Sequence, residues 1–224
     1  MAAGTAVEAK GAAGTAAISG KVTFSGSAPA REKIKMAADP VCLAQHKEAA
    51  LSEDLVANNG ALQNVFVYVK DGLAGKTFPP PTTPVVIDQQ GCQYHPHVFG
   101  IQVGQPLEIL NSDATLHNIN VQPKENKRFN IAQPMKGMKT RKSFDKPEMA
   151  VPFKCNVHPW MGAYGHVLDH PFFGVTAEDG SFTLKNLPAG TYTVEAWHEK
   201  LGAQTQSVTV ADGETKQVSF SFKK

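Results

Sequence analysis

The chain has 224 residues, of which 42% are hydrophobic and 19% are charged. A chain of this length forms one large domain or two small ones and can bury a core without cross-links. The net charge of +2 argues against a strongly basic nucleic-acid-binding protein. No apolar run is long enough for a transmembrane helix. The 19 glycines and 15 prolines favour many turns and short strands over a helical bundle.

Residues 1–16 are rich in alanine, glycine and threonine, and they contain neither the charged region nor the apolar region of a signal peptide. We expect this segment to be a disordered linker that remains after an export signal has been replaced by a start methionine. The first domain is therefore expected to begin at residue 17.

Short β-branched or aromatic runs bounded by Gly, Pro, Asn or Asp recur along the chain and predict an all-β sandwich protein. The clearest period-two alternation covers residues 18–24 and 64–69. Further strands are predicted at 84–88, 97–103, 106–111, 117–121, 149–155, 164–168, 172–176, 181–185, 191–197, 205–210 and 216–222. One short helix is predicted within 39–55, with a proline at its start. Asp179 and Gly180 separate two strands, as a tight hairpin would require.

The most informative segment is Cys155-Asn156-Val157-His158-Pro159-Trp160-Met161, which places a thiolate, an imidazole and a thioether on one short loop. A second imidazole, His117, lies upstream in a predicted strand. One Cys, two His and one Met match a blue-copper site, in which a trigonal His₂Cys plane has a long, weak axial Met bond. Three ligands from one loop and a fourth from a neighbouring strand can converge on one ion. The alternative is a buried free cysteine with histidine and methionine as core filler.

Residues 84–169 resemble a cupredoxin of the amicyanin type, which has a short ligand loop. The resemblance is carried by the cysteine loop, by His117-Asn118 and by Val103-Gly104-Gln105-Pro106-Leu107-Glu108-Ile109-Leu110-Asn111-Ser112-Asp113. It implies one type 1 copper per chain, whose ligand atoms are His117 Nδ1, Cys155 Sγ, His158 Nδ1 and Met161 Sδ.

The same resemblance implies a role for the residues around these ligands. Asn118 would tie the first-ligand loop to the cysteine loop through hydrogen bonds. The exposed edge of His158, ringed by Pro159 and Trp160, would exchange electrons with a partner. The implied function is single-electron transfer rather than catalysis, and the implied partner is a redox protein such as a c-type cytochrome, a dehydrogenase or an oxidase.

The C-terminal segment resembles the carboxypeptidase regulatory-like, or transthyretin-like (prealbumin-like), β-sandwich. The matching runs are 174–184 and 187–194. That family opens with a strand of the type found at 18–24, and 62–69 can supply its second strand. The resemblances together imply two Greek-key β-sandwiches. A regulatory-like sandwich formed by 17–83 and 170–224 is interrupted by a cupredoxin domain at 84–169.

The chain has three cysteines, and two of them remain if Cys155 binds copper. A disulfide between Cys42 and Cys92 would tie the helical segment to the start of the inserted domain. The alternative is two separate reduced thiols in a cytosolic protein. Since disulfides and loosely protected copper belong in an oxidising compartment, we expect a periplasmic or otherwise extracytoplasmic protein.

Two further features leave the function open. His95 and His97 point to the same face of an extended segment and would help to bind a second, catalytic copper, as in nitrite reductases and multicopper oxidases. The alternative is incidental surface histidines. Residues 124–154 carry nine Lys or Arg against three Asp or Glu, which indicates a solvated face or a docking surface for an acidic partner. A copper carrier or sensor is the third functional hypothesis.

Overall fold

The computed structural model describes residues 9–10 and 14–224. Within them it has one short helix, α1 (Pro40–Ala44), and the all-β prediction is confirmed. The strands before residue 84 are β1 (Ala9–Lys10), β2 (Ala16–Phe24), β3 (Ala57–Asn58), β4 (Ala61–Leu62), β5 (Phe66–Asp71) and β6 (Lys76–Thr77). Most of the predicted linker at 1–16 lies outside the described residues. No helix in the described part of the chain is long and apolar enough to cross a membrane.

The remaining strands follow in two groups. The first group is β7 (Val85–Gln90), β8 (Gln93–His95), β9 (Val98–Gln102), β10 (Leu107–Asn111), β11 (His117–Val121), β12 (Phe129–Gln133), β13 (Lys139–Lys142), β14 (Glu148–Lys154) and β15 (Gly162–Leu168). The second group is β16 (Phe173–Val175), β17 (Ser181–Leu187), β18 (Gly190–His198), β19 (Gly202–Val210) and β20 (Thr215–Phe222).

Strands from the two ends of the chain share two sheets. One sheet has the order β17-β2-β4-β3, with β20 parallel to β2, and the other has the order β16-β5-β18-β19. They enclose an apolar core that includes Ile18, Val67, Val194 and Phe220. In β20 the buried Val218, Phe220 and Phe222 alternate with exposed residues, which is the period-two pattern of a half-buried strand.

The middle of the chain forms another two sheets, with the orders β13-β10-β7-β8 and β12-β11-β14-β15-β9. Their core includes Ile87, Ile109, Ile119 and Phe153. All nine of these strands lie between Val85 and Leu168.

The helix and the hairpin differ from the sequence predictions. The helix predicted within 39–55 is confined to α1, because the chain beyond it turns back and Leu51 forms an antiparallel bridge with Lys33. The prediction of a hairpin at Asp179 and Gly180 is wrong. The strands on either side of this turn do not pair with each other, since β16 pairs with β5 and β17 pairs with β2. This turn therefore carries the chain from one sheet to the other. Gly180 is required there, because its φ is +74° and a Cβ would lie 2.4 Å from the Val22 carbonyl oxygen.

Aromatic packing joins the two pairs of sheets. A third buried cluster contains Phe66 and Tyr68 of β5 together with Val98 of β9. The imidazole of His166, on β15, stacks on Phe66 with ring centroids 4.0 Å apart, and Trp197 meets the same imidazole edge-on at 4.6 Å. The two pairs of sheets thus share a buried interface rich in aromatic side chains.

Candidate metal centre

Two adjacent strands bring the predicted ligands to one edge of a sheet. Strand β11 begins at His117, and β14 ends at Lys154, immediately before the cysteine loop. These strands are antiparallel, with Asn120 opposite Lys154. The start of β11 and the end of β14 therefore lie side by side, which places His117 next to the loop that runs from Cys155 to Met161.

The structure brings His117, Cys155 and His158 together in the buried interior. The Nδ1 atoms of the two imidazoles are 2.9 Å apart, and Cys155 Sγ is 4.0 Å from His158 Nδ1. One ligand atom from each of the three residues lies within 4.8 Å of the other two. Met161 is also buried, and its backbone closes the loop, since its N–H donates to the His158 carbonyl and its carbonyl accepts from the Cys155 N–H.

Each of the two imidazoles has a carboxylate on its far nitrogen. His117 Nε2 lies 2.8 Å from Asp113 Oδ2, and His158 Nε2 lies 2.9 Å from Asp39 Oδ2. Burial opposes ionisation of both carboxyls, but hydrogen bonds from the imidazoles and from backbone amides lower the pKa of each. An ionised carboxylate only accepts, so each ring donates its Nε2–H.

This arrangement provides a test of whether the residues fit a metal ion. With both Nε2 atoms protonated, two Nδ1 lone pairs face each other across 2.9 Å next to a cysteine sulfur. Two lone pairs at this distance repel each other unless a proton or a cation lies between them. Sulfur and imidazole donors in this combination suit copper, so the residues present fit the ion that the sequence predicts.

The titration behaviour of the pair leads to the same conclusion. Burial opposes ionisation of the Cys155 thiol, but hydrogen bonds from His117 and from neighbouring backbone amides lower its pKa to about 6. Burial likewise opposes protonation of His117, but hydrogen bonds to Asp113 and Cys155 raise its pKa to about 8. Near neutral pH the metal-free centre therefore holds a thiolate and a proton where a cation would otherwise lie.

Asn118 connects the two segments that carry these side chains. Its Oδ1 accepts a hydrogen bond from the Asn156 backbone N–H at 2.6 Å and lies 3.4 Å from Cys155 Sγ. Its Nδ2 donates to Asn130 Oδ1 on β12. The side chain therefore fixes the beginning of the cysteine loop against β11.

The prediction that one edge of the His158 ring is exposed is wrong. The residue is 2% exposed, and its Nε2 lies 3.5 Å from Cys42 Sγ as well as against Asp39. The segment around α1 covers this ring, although it lies far before the cysteine loop in the sequence. We call this segment the cover. Cys42 forms the predicted disulfide with Cys92, and this bond holds the cover in place. Nearby, Pro159 is exposed and the half-buried Trp160 donates its Nε1–H to the Cys92 carbonyl.

His95 and His97 are not brought together as metal ligands. His95 is exposed at the end of β8. His97 faces two acceptors, since Nδ1 lies 3.1 Å from the Gly162 carbonyl oxygen and Nε2 contacts Glu199. Burial opposes protonation of His97, but Glu199 raises its pKa above the ordinary value. A ring that donates from both nitrogens has no lone pair for a metal. The His97–Glu199 pair instead lines a cavity of about 710 Å³ beside Trp160.

Sequence reasoning missed both carboxylates. Asp113 lies four residues before His117, so local spacing could have suggested it. Asp39 is 119 residues from His158, so no local spacing in the sequence connects the two residues.

Comparisons with known proteins match the chain to one family model and to several solved structures. The family model of the carboxypeptidase regulatory-like domain matches residues 171–223. No curated protein matches the chain. Solved structures similar to parts of the chain include cupredoxins. The Cu-containing nitrite reductase (NirK) from Thermus scotoductus SA-01 is 20% identical with a TM-score of 0.37, covering 67% of this chain and 28% of its own.

Two smaller copper proteins match a shorter part of the chain. A mutant of amicyanin in its Cu(I) form is 20% identical with a TM-score of 0.33, covering 38% of this chain and 81% of its own. The purple cupredoxin from Nitrosopumilus maritimus is 22% identical with a TM-score of 0.32, covering 37% of this chain and 98% of its own. The chain thus spans less than a third of the nitrite reductase and most of each small protein.

Proposed function

We propose that the chain is a type 1 copper protein that carries single electrons between redox partners outside the cytoplasm. The observation that supports this most directly is the buried convergence of His117 Nδ1, His158 Nδ1 and Cys155 Sγ, with a carboxylate behind each imidazole. These three residues would hold one copper, and the buried Met161 would supply a thioether as a fourth, weaker ligand.

The protein holds the ligands in fixed positions, so that few atoms have to move during electron transfer. When bound, the copper supplies a one-electron couple between Cu(II) and Cu(I). Asp113 and Asp39 orient the two rings, Asn118 fixes the cysteine loop, and the disulfide anchors the cover over His158. Burial of all three ligand side chains excludes water from the centre. A preorganised, dry site of this kind keeps the reorganisation that accompanies electron transfer small.

The division of the strands between two cores supports a proposal for the domain organisation. We propose a regulatory-like sandwich at 17–83 and 170–224, interrupted by a cupredoxin domain at 84–169. Two observations support these limits: the family match at 171–223, and the enclosure of all strands from Val85 to Leu168 in sheets of their own.

Partner docking is proposed for the surface around the cysteine loop. Pro159 and Trp160 remain the surface for electron exchange, because Trp160 contacts His158, with ring centroids 5.1 Å apart, and is itself half-buried. Large apolar side chains are also exposed on the two segments that meet at His158, namely Val41 and Leu43 of α1 and Val157 of the loop. Together with the basic segment 124–154, they suit a redox protein with an acidic face, such as a c-type cytochrome, a dehydrogenase or an oxidase.

A titration of the metal-free protein with Cu(II) tests the proposal, followed by visible absorption and by electron paramagnetic resonance. We expect an intense thiolate-to-copper band that saturates at one equivalent. The Cys155→Ser variant is expected to lose the band, whereas His95→Gln is the matched control and is expected to keep it. The absence of a band at every ratio would contradict the proposal.

The same titration distinguishes the competing functions. A second paramagnetic species at a second equivalent of copper would favour a copper enzyme. Rapid release of the first copper to a chelator, together with slow electron exchange, would favour a copper carrier or sensor.

A further inference from the structure

The cover over His158 includes Asp39, and the two carboxylate oxygens of this residue have different partners. Asp39 Oδ1 accepts from the backbone N–H groups of Val41 and Cys42, at 2.8 and 3.3 Å, and so caps α1. Oδ2 takes no part in the cap. It lies 2.9 Å from His158 Nε2 and accepts from the Thr115 hydroxyl at 3.1 Å. Helix capping explains only one oxygen, and the other faces an imidazole that the proposed function assigns to the metal.

We propose that Asp39 is a positioning residue that fixes the tautomer and the orientation of the His158 ring, so that Nδ1 stays available to a metal ion. This inference rests on the proposed function. A neutral imidazole carries one ring proton, and an ionised carboxylate can only accept it. The proton is therefore held on Nε2, and Nδ1 keeps its lone pair. A histidine whose Nε2 faces water has no such constraint, because either nitrogen can then carry the proton.

The disulfide connects the contacts that hold the His158 ring with those that hold the His117 ring. Cys42, whose N–H is bound by Asp39, is joined covalently to Cys92. The N–H of Cys92 donates to Asp113 Oδ2 at 2.8 Å, and the same oxygen binds His117 Nε2. The two carboxylates that hold the two rings are thus linked through one disulfide. A displacement of α1 would be transmitted to both rings.

The substitution Asp39→Asn tests the role of the second oxygen while it preserves the first. Asparagine is as good a helix cap as aspartate, so Oδ1 can still accept from Val41 and Cys42. Its amide nitrogen then faces His158 Nε2 and donates to it. The ring proton is expected to move to Nδ1, which is the wrong tautomer for metal binding. Asp54→Asn is the matched control, since it removes the same charge from a carboxylate that pairs with Lys200.

The first readout is ¹⁵N nuclear magnetic resonance of the metal-free protein at alkaline pH, where imidazoles are neutral. We expect the His158 proton on Nε2 in the parent protein and in Asp54→Asn, and on Nδ1 in Asp39→Asn. An Nδ1 proton in the parent protein, or an unchanged pattern in Asp39→Asn, would overturn the inference. Because no copper is present, failure here is distinct from failure of the proposed function, which would appear as a missing charge-transfer band.

The second readout is made on the copper-loaded protein. Asp39→Asn is expected to bind copper about 10–100-fold more weakly, as is typical when the partner of a ligating histidine is removed. Its reduction potential should rise, because an anion near the site favours Cu(II). Asp54→Asn should change neither quantity. If Asp39→Asn does not fold, Asp39→Ser retains a capping oxygen and again lacks an acceptor for His158. Parent-like affinity and potential in the folded variant would count against the role.

Discussion

The side chain of Asn118 controls the cysteine loop from a neighbouring strand. Its Oδ1 is the acceptor for the Asn156 N–H, and the side chain is almost fully buried. Truncation leaves a partly buried N–H without a partner, and such a loss costs about 1–3 kcal/mol. We therefore predict that Asn118→Ala lowers the free energy of unfolding of the metal-free protein by about that amount.

Chemical denaturation of the two proteins measures this difference. Asn120→Ala is the control, because Asn120 lies on the same strand and contacts the same partner, but through an exposed hydrogen bond between side chains. Its cost should be near zero. Equal losses in the two variants would mean that Asn118 has no special role in holding the loop.

At the residue scale, the sequence predicted the sulfur and imidazole side chains more completely than their partners. The Cys-x-x-His-x-x-Met spacing is local, so the cysteine loop was recognisable from the chain alone. The contact of Asp39 with His158 depends on how a distant segment crosses the molecule, and no local pattern encodes that path. The same crossing buries the edge of His158 that was expected to be exposed.

At the scale of elements, α1 is too short to be stable through its own hydrogen bonds. It has five residues, a cap at Asp39 and a disulfide at Cys42, which closes a loop with a sequence separation of 50. A cross-link over such a loop stabilises the fold by about 4 kcal/mol in the chain-entropy model. We predict that the Cys42→Ser/Cys92→Ser variant loses up to about that amount of stability.

The loss should be concentrated near the cover. Hydrogen exchange is expected to accelerate at Val41–Ala44 and in the cysteine loop, and to change little in β18 and β19, which belong to the other core. Uniform acceleration over the whole chain would show that the disulfide acts only on global stability. Unchanged exchange at α1 would show that packing alone holds the cover.

Strands with a buried apolar face were predictable, whereas strands without a buried apolar residue were not. The runs at 117–121 and 216–222 agree with β11 and β20 to within a residue, because apolar residues alternate in them or fill them. Strands β12 and β13 were missed. The sequence of β13, Lys-Thr-Arg-Lys, has no apolar member, and the strand forms because β10 offers an edge with which it pairs.

At the scale of the whole molecule, the interface between the two cores contains a histidine without a full set of partners. His166 is fully buried, its Nδ1 accepts from the Ala150 N–H, and its Nε2 has no hydrogen-bond partner among the residues that the structure describes. Burial lowers its pKa from the ordinary histidine value of 6.5 to about 3. The folded protein therefore keeps this ring neutral, whereas the unfolded chain binds a proton as the pH falls.

This difference determines how stability depends on pH. Between pH 6.5 and about 3 the unfolded state holds one more proton at His166 than the folded state, so acid favours unfolding. The free energy of unfolding should fall by about 1.4 kcal/mol per pH unit within that range from this residue alone. Above pH 6.5 His166 no longer makes the free energy of unfolding depend on pH. His198, whose pKa burial lowers to about 4, adds a slope of the same sign.

Urea denaturation at several pH values tests the assignment. We predict that His166→Leu has a shallower dependence on pH than the parent protein, because the only group removed is one that resists protonation when folded. His95→Leu, at an exposed position, should retain the full slope. Parallel curves for the parent and His166→Leu would show that other groups cause the acid sensitivity.

The position of the cover means that the proposed cupredoxin domain does not contain the whole site. Asp39 and Cys42 belong to the part of the chain that precedes the proposed cupredoxin domain, yet they complete the surroundings of His158. A fragment cut at residues 84 and 169 would retain every proposed ligand and still lack a carboxylate and one half of a disulfide. Both parts of the chain therefore build the centre, and moving the inserted segment into another host would change the surroundings of its proposed metal ligands.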